Sequence, residues 1–215
     1  MREGQPAPLR RRSETRRRLL AAAAELFDER GTISQSVEEI STRAGYTRGA
    51  FYSNFATVDE LYLALHQEQS AAVWTRLHHA IDVEVSADAA DTTLDEAVAH
   101  LLDSLPGDRE WFSLRTVLLA KAAADPAFAE ALSIDRGEVA GELGERLVAF
   151  ARAHGRDPVV DASVLAKAVV AAHVGAVGLS PVDADAARTR RTVVAAVIRG
   201  LTDVSGEREP DREHP

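Results

Sequence analysis

Apolar residues recur at helical spacing along most of this chain, and this periodicity limits the fold more than any other feature. Near the N-terminus, Leu19, Ala22, Ala23, Leu26 and Phe27 lie at positions i, i+3, i+4, i+7 and i+8, the pattern of one helix face. The composition agrees, because 39 of the 215 residues are alanine and only 5% are aromatic. Alanine favours helices, whereas strands favour aromatic and β-branched residues, so we predict an all-α fold.

Charge is distributed unevenly along the chain. Residues 1–55 contain ten arginines and seven acidic residues, a net charge of +3, whereas the remaining 160 residues carry −12, which together give the total of −9. A basic leading segment on an acidic body indicates an anionic partner that meets the N-terminal part. The alternative is an acidic solvated surface with a chance cluster of arginines.

The sequence lacks the motifs of the common enzyme classes. It has no cysteine, which excludes disulfides, thiolate metal sites and cysteine nucleophiles. It also has no glycine-rich phosphate loop, no nucleophile elbow and no His-Glu-x-x-His motif. Glu96 and His100 are one residue too far apart for a di-iron Glu-x-x-His pair, and the adjacent His78 and His79 diverge around a helix. We predict no enzymatic activity, no cofactor and no metal site.

No stretch of about 18 uncharged apolar residues is present, so we predict no membrane span. Arg16, Arg17 and Arg18 followed by apolar residues 19–24 resemble the start of a signal peptide, but Glu25 and Asp28 interrupt the apolar region. We therefore expect a cytoplasmic protein.

The N-terminal part begins with a predicted flexible basic arm, residues 1–12. A helix is predicted from a cap near Thr15 to Gly31. The start of this helix carries several arginines, against the preference of the helix dipole for acidic residues there. A function other than helix stability would explain these charges.

Two short predicted helices follow, joined by a tight turn. Ser36 and Glu39 fit a capping box that opens the first short helix, and Gly45 suits the left-handed conformation that ends it. Thr47 caps the second, and a further capping box at residues 57–60 opens a long helix. Two short helices that meet at a glycine turn and pack on a preceding helix describe a helix-turn-helix.

The second short helix has side chains suited to a DNA major groove. Arg48 can donate to O6 and N7 of guanine, Ala50 can contact a thymine methyl group, and Gly49 permits close approach. Phe51 and Phe55 fall on the opposite, core face. The alternative is a helical corner without DNA. The full set of predicted DNA-binding residues is Ser36, Arg43, Thr47, Arg48, Gly49, Ala50, Tyr52, Asn54 and Thr57.

These features together resemble the DNA-binding domain of the tetracycline-repressor-like (TetR) regulators. The resemblance covers about 50 residues, from Thr15 to Leu65, and includes the helix end at Arg30-Gly31, the turn at Ala44-Gly45 and the series Phe51-Tyr52-x-x-Phe55. One position departs from the family pattern, because Val58 stands where a lysine is frequent. Phosphate contact there would rest on Thr57 and the helix amides.

The remaining residues predict a larger helical domain. Helices are predicted from a Thr93 capping box to about Ser104, from Asp108 onward, and from Asp125-Pro126 onward with a break near Ser133. Asp157-Pro158 opens an apolar helix through Gly178, residues 183–201 form the last helix, and residues 205–215 are a predicted disordered tail. We place the helix-turn-helix domain at 13–58 and the effector-binding and dimerisation domain at 59–204.

The predicted helix at 158–178 is apolar and small-sided on nearly all of its surface, so it needs neighbours on every side. A second subunit supplies them most simply, with the last helix at 183–201 sharing the interface. The alternative is a central helix inside a monomer. The resemblance implies a homodimer through these two helices, and hence a palindromic, inverted-repeat operator of double-stranded DNA.

The resemblance also implies a small-molecule effector bound among the middle helices, whose binding releases DNA. Each candidate side chain has the alternative reading of core filler or solvated residue. The candidates are Trp74, Trp111, Phe112, Arg115, Leu118, Phe128 and His173, with His66, His78 and His100 as further polar groups.

The sequence therefore predicts a ligand-responsive transcriptional regulator, and by resemblance a repressor. The alternative is a helical oligomeric interaction protein whose helix-turn-helix is structural.

Overall fold

A computed structural model describes residues 8–86, 92–105, 109–133 and 136–205. These residues form ten helices and one two-stranded antiparallel sheet, which confirms the all-α prediction. The helices are α1 (Pro8–Arg30), α2 (Val37–Arg43), α3 (Arg48–Tyr52), α4 (Val58–Ser86), α5 (Leu94–Ser104), α6 (Arg109–Ala124), α7 (Pro126–Ser133), α8 (Arg136–Ala153), α9 (Ala162–Leu179) and α10 (Ala186–Gly200), and the strands are β1 (Arg156–Pro158) and β2 (Thr202–Val204).

The chain divides into two compact units. The first unit comprises the described residues up to Ala71 together with 113–132, and the second comprises 72–112 and the described residues from 133 onward. The unit that contains the two short helices therefore extends beyond residue 58, into α4, α6 and α7. The core of the first unit includes Leu19, Leu26, Ile40, Phe51, Phe55, Leu61, Tyr62, Leu114, Leu118 and Phe128.

The first helix begins earlier than predicted. α1 starts at Pro8, so the expected cap at Thr15 lies inside the helix and residues 8–12 of the predicted arm are helical. Proline suits a first helical turn because it lacks the N–H that this turn leaves unpaired. Glu14 adds ion pairs to Arg17 and Arg18, three and four residues ahead, which support helix in this segment. Residues 1–7 lie outside the described part of the chain.

The start of α9 also differs from the prediction. Pro158 does not open the helix, because residues 156–158 form β1 and pair with β2 in the register Arg156–Val204, Asp157–Asp203 and Pro158–Thr202. The Arg156 side chain holds this pairing by donating to the Thr202 hydroxyl at 2.7 Å and the Thr202 carbonyl at 2.6 Å. Asp161 then takes the N-cap position of α9. These contacts join segments 46 residues apart, and local sequence patterns do not report such pairings.

The second unit is built around α8, α9 and α10, which pack against one another and against α5. α8 and α9 approach closely at Gly144, where a Cβ atom would lie 2.5 Å from the Ala162 carbonyl oxygen. The core residues include Leu77, Ile81, Leu101, Leu102, Leu143, Leu147, Phe150, Leu165, Val169, Val194 and Ile198.

Other predicted boundaries hold with small shifts. Thr93 caps α5 through the expected capping box, α7 and α8 are separate helices on either side of residues 134–135, and α10 begins at Ala186 rather than at 183. The predicted helix start at Asp108 and residues 206–215 of the predicted tail lie outside the described residues. α9 is long and apolar enough to cross a membrane by composition, even though Lys167 and His173 interrupt it.

Candidate functional site

The start of α2 is fixed by a complete capping box. The Ser36 hydroxyl accepts from the Glu39 N–H at 3.2 Å, and the Glu39 carboxylate accepts from the Ser36 N–H at 2.8 Å. This backbone hydrogen bond, with a second contact from Arg30, lowers the pKa of Glu39 to about 2. The carboxylate is therefore charged at neutral pH, and it holds α1 and α2 together through Arg30.

The turn between α2 and α3 has the backbone that the sequence predicts. Gly45 has a φ of +76°, which a glycine adopts without steric cost. The Tyr46 N–H donates to the Ser41 carbonyl, and this bond closes the end of α2. Thr47 then caps α3, because its hydroxyl accepts from the Ala50 N–H at 3.3 Å. The turn thereby fixes the angle at which α3 leaves α2.

The short helix α3 has one buried and one open face. Phe51 is 0% exposed and, just beyond the helix, Phe55 is 1% exposed. On the other side Arg48 and Gly49 are exposed, and Tyr52 is 53% exposed. Within the described part of the chain, Arg48 has no hydrogen bond or ion pair. Its guanidinium is therefore available to an external acceptor.

Three other predicted DNA-binding residues are engaged by the protein itself. Arg43 pairs with Glu29 at 2.8 Å and with Glu25 at 3.4 Å. The Asn54 amide donates to the Ala50 carbonyl at 2.8 Å, at the end of α3. The Thr57 hydroxyl accepts from the Glu60 N–H at 3.0 Å and caps α4. A DNA contact from Arg43 would require exchange of its partners, so its role, like those of Asn54 and Thr57, stays a prediction.

The capping box predicted at residues 57–60 is present only in part. The Thr57 hydroxyl caps as expected, but the Glu60 carboxylate accepts from the Ala56 N–H at 2.6 Å, one residue before the expected partner. The N-terminus of α4 is thus capped by Thr57, next to the position where Val58 stands.

A cavity of about 70 Å³ lies inside the second unit. Leucine and valine side chains make up most of its wall, and three predicted effector residues, Trp74, Trp111 and His173, lie on it. The Nδ1 atom of His173 is buried without a hydrogen-bond partner among the described residues. Burial lowers the pKa of His173 to about 4, with a further contribution from Arg190. The imidazole is therefore neutral at pH 7.

The structure does not bring the other predicted effector residues to this cavity. Phe112 lies against Gly178, where a Cβ atom would be 2.8 Å from its ring. Leu118 and Phe128 belong to the core of the first unit, and Arg115 lies in the same unit. His66, His78 and His100 are also absent from the cavity wall.

The sequence did not single out an arginine contact beside α3. The Arg16 guanidinium lies 4.5 Å from the centre of the Phe55 ring. The available signal was the cluster of arginines in the first half of α1, of which Arg17 and Arg18 also pair with Glu14.

Residues 19–65 match the family described as bacterial regulatory proteins of the tetR family, and they span the second half of α1 through the first turns of α4. The similarity in sequence to this tetR family is thus confined to the region that contains the helix-turn-helix. The α2–turn–α3 motif lies inside this match, so it corresponds to the DNA-binding helix-turn-helix of these bacterial regulatory proteins.

Particular relatives give the extent of the similarity. The transcriptional activator FasR of Mycolicibacterium smegmatis is 43% identical over 56 residues, which is 26% of this chain and 26% of that protein. The chain thus matches about a quarter of the length of this relative.

Solved structures extend the TetR fold to both units. A tetR-family regulator from Mesorhizobium loti is 18% identical with a TM-score of 0.69, covering 90% of this chain and 99% of that one. SmeT, the repressor of the SmeDEF multidrug efflux pump of Stenotrophomonas maltophilia, is 21% identical with a TM-score of 0.58, covering 88% and 93%. At these identities the likeness concerns the fold.

Proposed function

We propose that this protein is a cytoplasmic, homodimeric transcriptional repressor that binds an inverted-repeat operator and leaves it when a small molecule occupies the cavity of the second unit. The observation that carries the proposal is the open face of α3. Arg48, Gly49 and Tyr52 are exposed there, while Phe51 anchors the opposite face in the core.

The open face of α3 fits direct readout of bases. An arginine without an internal partner can donate two parallel hydrogen bonds to guanine O6 and N7. Gly49 adds no side chain that would keep the backbone away from the groove, and Ala50 is small enough to meet a thymine methyl group. Thr47 and Tyr52 flank these positions, where hydroxyl groups contact phosphates without selecting a sequence.

The α9 and α10 helices support a dimer. α9 packs against α8 and α10 within the chain, but only 22% of its residues are buried there. A stripe of mainly apolar and small residues stays exposed on α9, including Val164, Ala171, Gly175 and Leu179, and the exposed Lys167 lies beside it. Small residues allow a close approach of two helices. In a twofold dimer, the stripe of one subunit would pack against the same stripe of the other subunit.

The chemistry of the cavity indicates the class of effector. Its wall is apolar apart from His173, which is neutral at pH 7. We infer that the effector is an uncharged, mainly apolar molecule with one hydrogen-bonding group that meets His173. At about 70 Å³ the cavity is smaller than the roughly 150 Å³ that holds benzene. We therefore infer that effector binding widens this cavity. The effector would then bind the widened conformation more tightly than the narrow one, and regulation requires such a difference in affinity.

Repression follows from occupation of a promoter by the dimer. The relatives include both an activator and a repressor, so the sign of regulation is tested separately, by transcription from a promoter that carries the bound site. A fall in transcript on adding the protein supports repression, and a rise contradicts it.

Selection of bound sequences from a random pool of duplex DNA tests the DNA-binding proposal. We expect a symmetric site whose affinity falls steeply with salt, because binding releases counterions from the phosphates. If no sequence is enriched and no duplex binds at low salt, the helix-turn-helix is structural and the alternative, a helical interaction protein, holds.

A further inference from the structure

Four exposed arginines lie in the N-terminal half of α1: Arg12, Arg16, Arg17 and Arg18. The first turn of this helix contains no acidic residue, although the helix dipole favours acidic side chains there. The ion pairs of Glu14 with Arg17 and Arg18 support the helix, but this arginine segment, residues 12–18, still carries a net charge of +3. Because the segment belongs to the unit that carries the helix-turn-helix, an anionic partner of that unit would neutralise this charge.

The arginine segment lies alongside α3. The guanidinium of Arg16 is 4.5 Å from the centre of the Phe55 ring, and that ring packs on Phe51 of α3 with the two centres 5.8 Å apart. The segment thus places the Arg16 cation beside the core side of α3.

The arginines of this segment differ in their internal partners. Arg16 has no carboxylate partner in the described ranges. Arg17 donates to both oxygens of Glu14, at 2.8 and 2.9 Å, and Arg18 donates to the same carboxylate at 2.8 Å. These two hydrogen-bonded arginines lower the pKa of Glu14, so the carboxylate is charged at neutral pH.

We propose that the arginine segment of α1 is a second DNA contact, made to the phosphates that border the groove occupied by α3, and that Glu14 competes with those phosphates for Arg17 and Arg18. This inference rests on the proposed DNA-binding function. The contact adds affinity without reading bases, and Glu14 limits that affinity.

The geometry of DNA supports this assignment. A major groove is about 12 Å wide and is bordered on both sides by phosphates. Because Arg16 packs on Phe55, at the core side of α3, the segment lies beside α3 and not on its open face, so we expect its guanidinium groups to meet the bordering phosphates and not the bases. Arg17 and Arg18 are 66% and 58% exposed, and ion pairs this exposed are weak. A phosphate can therefore replace Glu14.

Operator affinity measured over a range of salt concentrations tests the proposal, using the duplex selected by the wild-type protein. We expect Arg16→Ala and Arg17→Ala each to weaken binding several-fold at moderate salt. Each should lower the slope of log K against log salt by about one for every phosphate that the variant no longer binds. The preferred sequence should not change. Arg152→Ala, which removes an equally exposed arginine from the second unit, is the matched control and should leave both quantities unchanged.

Glu14→Gln tests the competition directly. We expect it to tighten DNA binding about two- to fivefold and to steepen the salt dependence of the affinity. The reason is that Arg17 and Arg18 can then bind phosphates without first losing their ion pairs with Glu14. Glu68→Gln removes the same charge from an exposed position of α4 in the same unit, and it should have a smaller effect. In a protein that already carries Arg17→Ala and Arg18→Ala, Glu14→Gln should increase DNA affinity by no more than Glu68→Gln does.

The outcomes separate this inference from the proposed function. If Arg12, Arg16, Arg17 and Arg18 can all be replaced by alanine with affinity and slope unchanged, while Arg48→Ala changes sequence preference, the second contact is wrong and DNA recognition by α3 stands. If the wild-type protein binds no duplex, both are wrong. Thermal melting of each variant reports folding, and Arg17→Ala serves if Arg16→Ala disturbs the packing on Phe55.

Discussion

His173 is a polar side chain in the mainly apolar wall of the cavity in the second unit. Its pKa is lowered to about 4 from an ordinary value of 6.5, because burial penalises the imidazolium. The native state therefore resists protonation, whereas the unfolded state takes up a proton as the pH falls below 6.5. Stability is lost between pH 6.5 and about 4, and it is unaffected by this group above pH 6.5.

We predict that His173→Phe reduces the loss of stability on acidification. Between pH 7.5 and 5, this histidine should account for about 2 kcal/mol of the fall in unfolding free energy. Urea denaturation of wild type and variant at both pH values measures the difference. Equal losses in the two proteins would show that His173 is not held neutral.

Tyr62 provides a second test in the first unit. Its buried hydroxyl donates to Gln35 Oε1 at 2.6 Å, and the Gln35 amide donates to the carbonyls of Thr32 and Leu26 at 2.7 and 3.3 Å. Tyr62→Phe leaves this oxygen buried without a donor, at a cost of about 1–2 kcal/mol. Tyr52→Phe, at an exposed position, is the control and should change the unfolding free energy by less than about 0.5 kcal/mol. Similar effects of the two changes would contradict the buried hydrogen bond.

At the residue scale, local chemistry was predictable and tertiary partners were not. Ser36 and Thr47 take the capping positions, and Gly45 the turn conformation, that the sequence predicts, because caps and turns depend on neighbours within a few residues. Arg43 pairs with Glu29, 14 residues away, and Arg16 packs on Phe55. Such contacts follow from the packing of α1, which no local pattern reports.

α8 contains two glycines whose substitution separates packing from helix propensity. A Cβ atom at Gly144 would lie 2.5 Å from the Ala162 carbonyl oxygen of α9, whereas one at Gly141 would meet nothing within 4 Å. Gly144→Ala forces α8 and α9 apart and should destabilise the protein by about 1–3 kcal/mol. Gly141→Ala should stabilise it by about 0.5–1 kcal/mol, because alanine has the higher helix propensity. Chemical denaturation measures both, and equal signs would contradict the close approach.

At the element scale, the sequence predicted which helices exist better than where they begin. Pro158 predicts a helix start, since proline favours the first turn of a helix. In the structure, however, its segment forms β1 and pairs with β2, more than 40 residues later in the chain. Pro8 has the same preference and does begin α1. The two prolines differ in their long-range partners, so local preference alone could not distinguish them.

At the scale of the whole molecule, the exposed stripe of α9 predicts an association of two chains. Ala171→Glu places a charge in the centre of this stripe and should convert a species of twice 23.2 kDa to a single chain. Ala149→Glu makes the same change at an exposed position of α8 and should leave the mass unchanged. Light scattering after size-exclusion chromatography measures both. A wild-type protein with the mass of one chain would contradict the dimer.

The cavity was predicted only in part, because its wall is assembled from several helices of the second unit. Trp74, Trp111 and His173 line it, whereas Leu118 and Phe128 fill the core of the other unit. Helical periodicity identifies a buried face, but it does not state which core that face joins.

The central claim, that the open face of α3 reads bases in a major groove, is tested most directly by the DNA sequences that Arg48→Ala selects from a random pool. We predict that this variant loses preference for guanine at one symmetric pair of positions, while Tyr52→Phe weakens binding to all sequences alike and selects the wild-type site. An Arg48→Ala protein that recovers the wild-type site unchanged would contradict the claim.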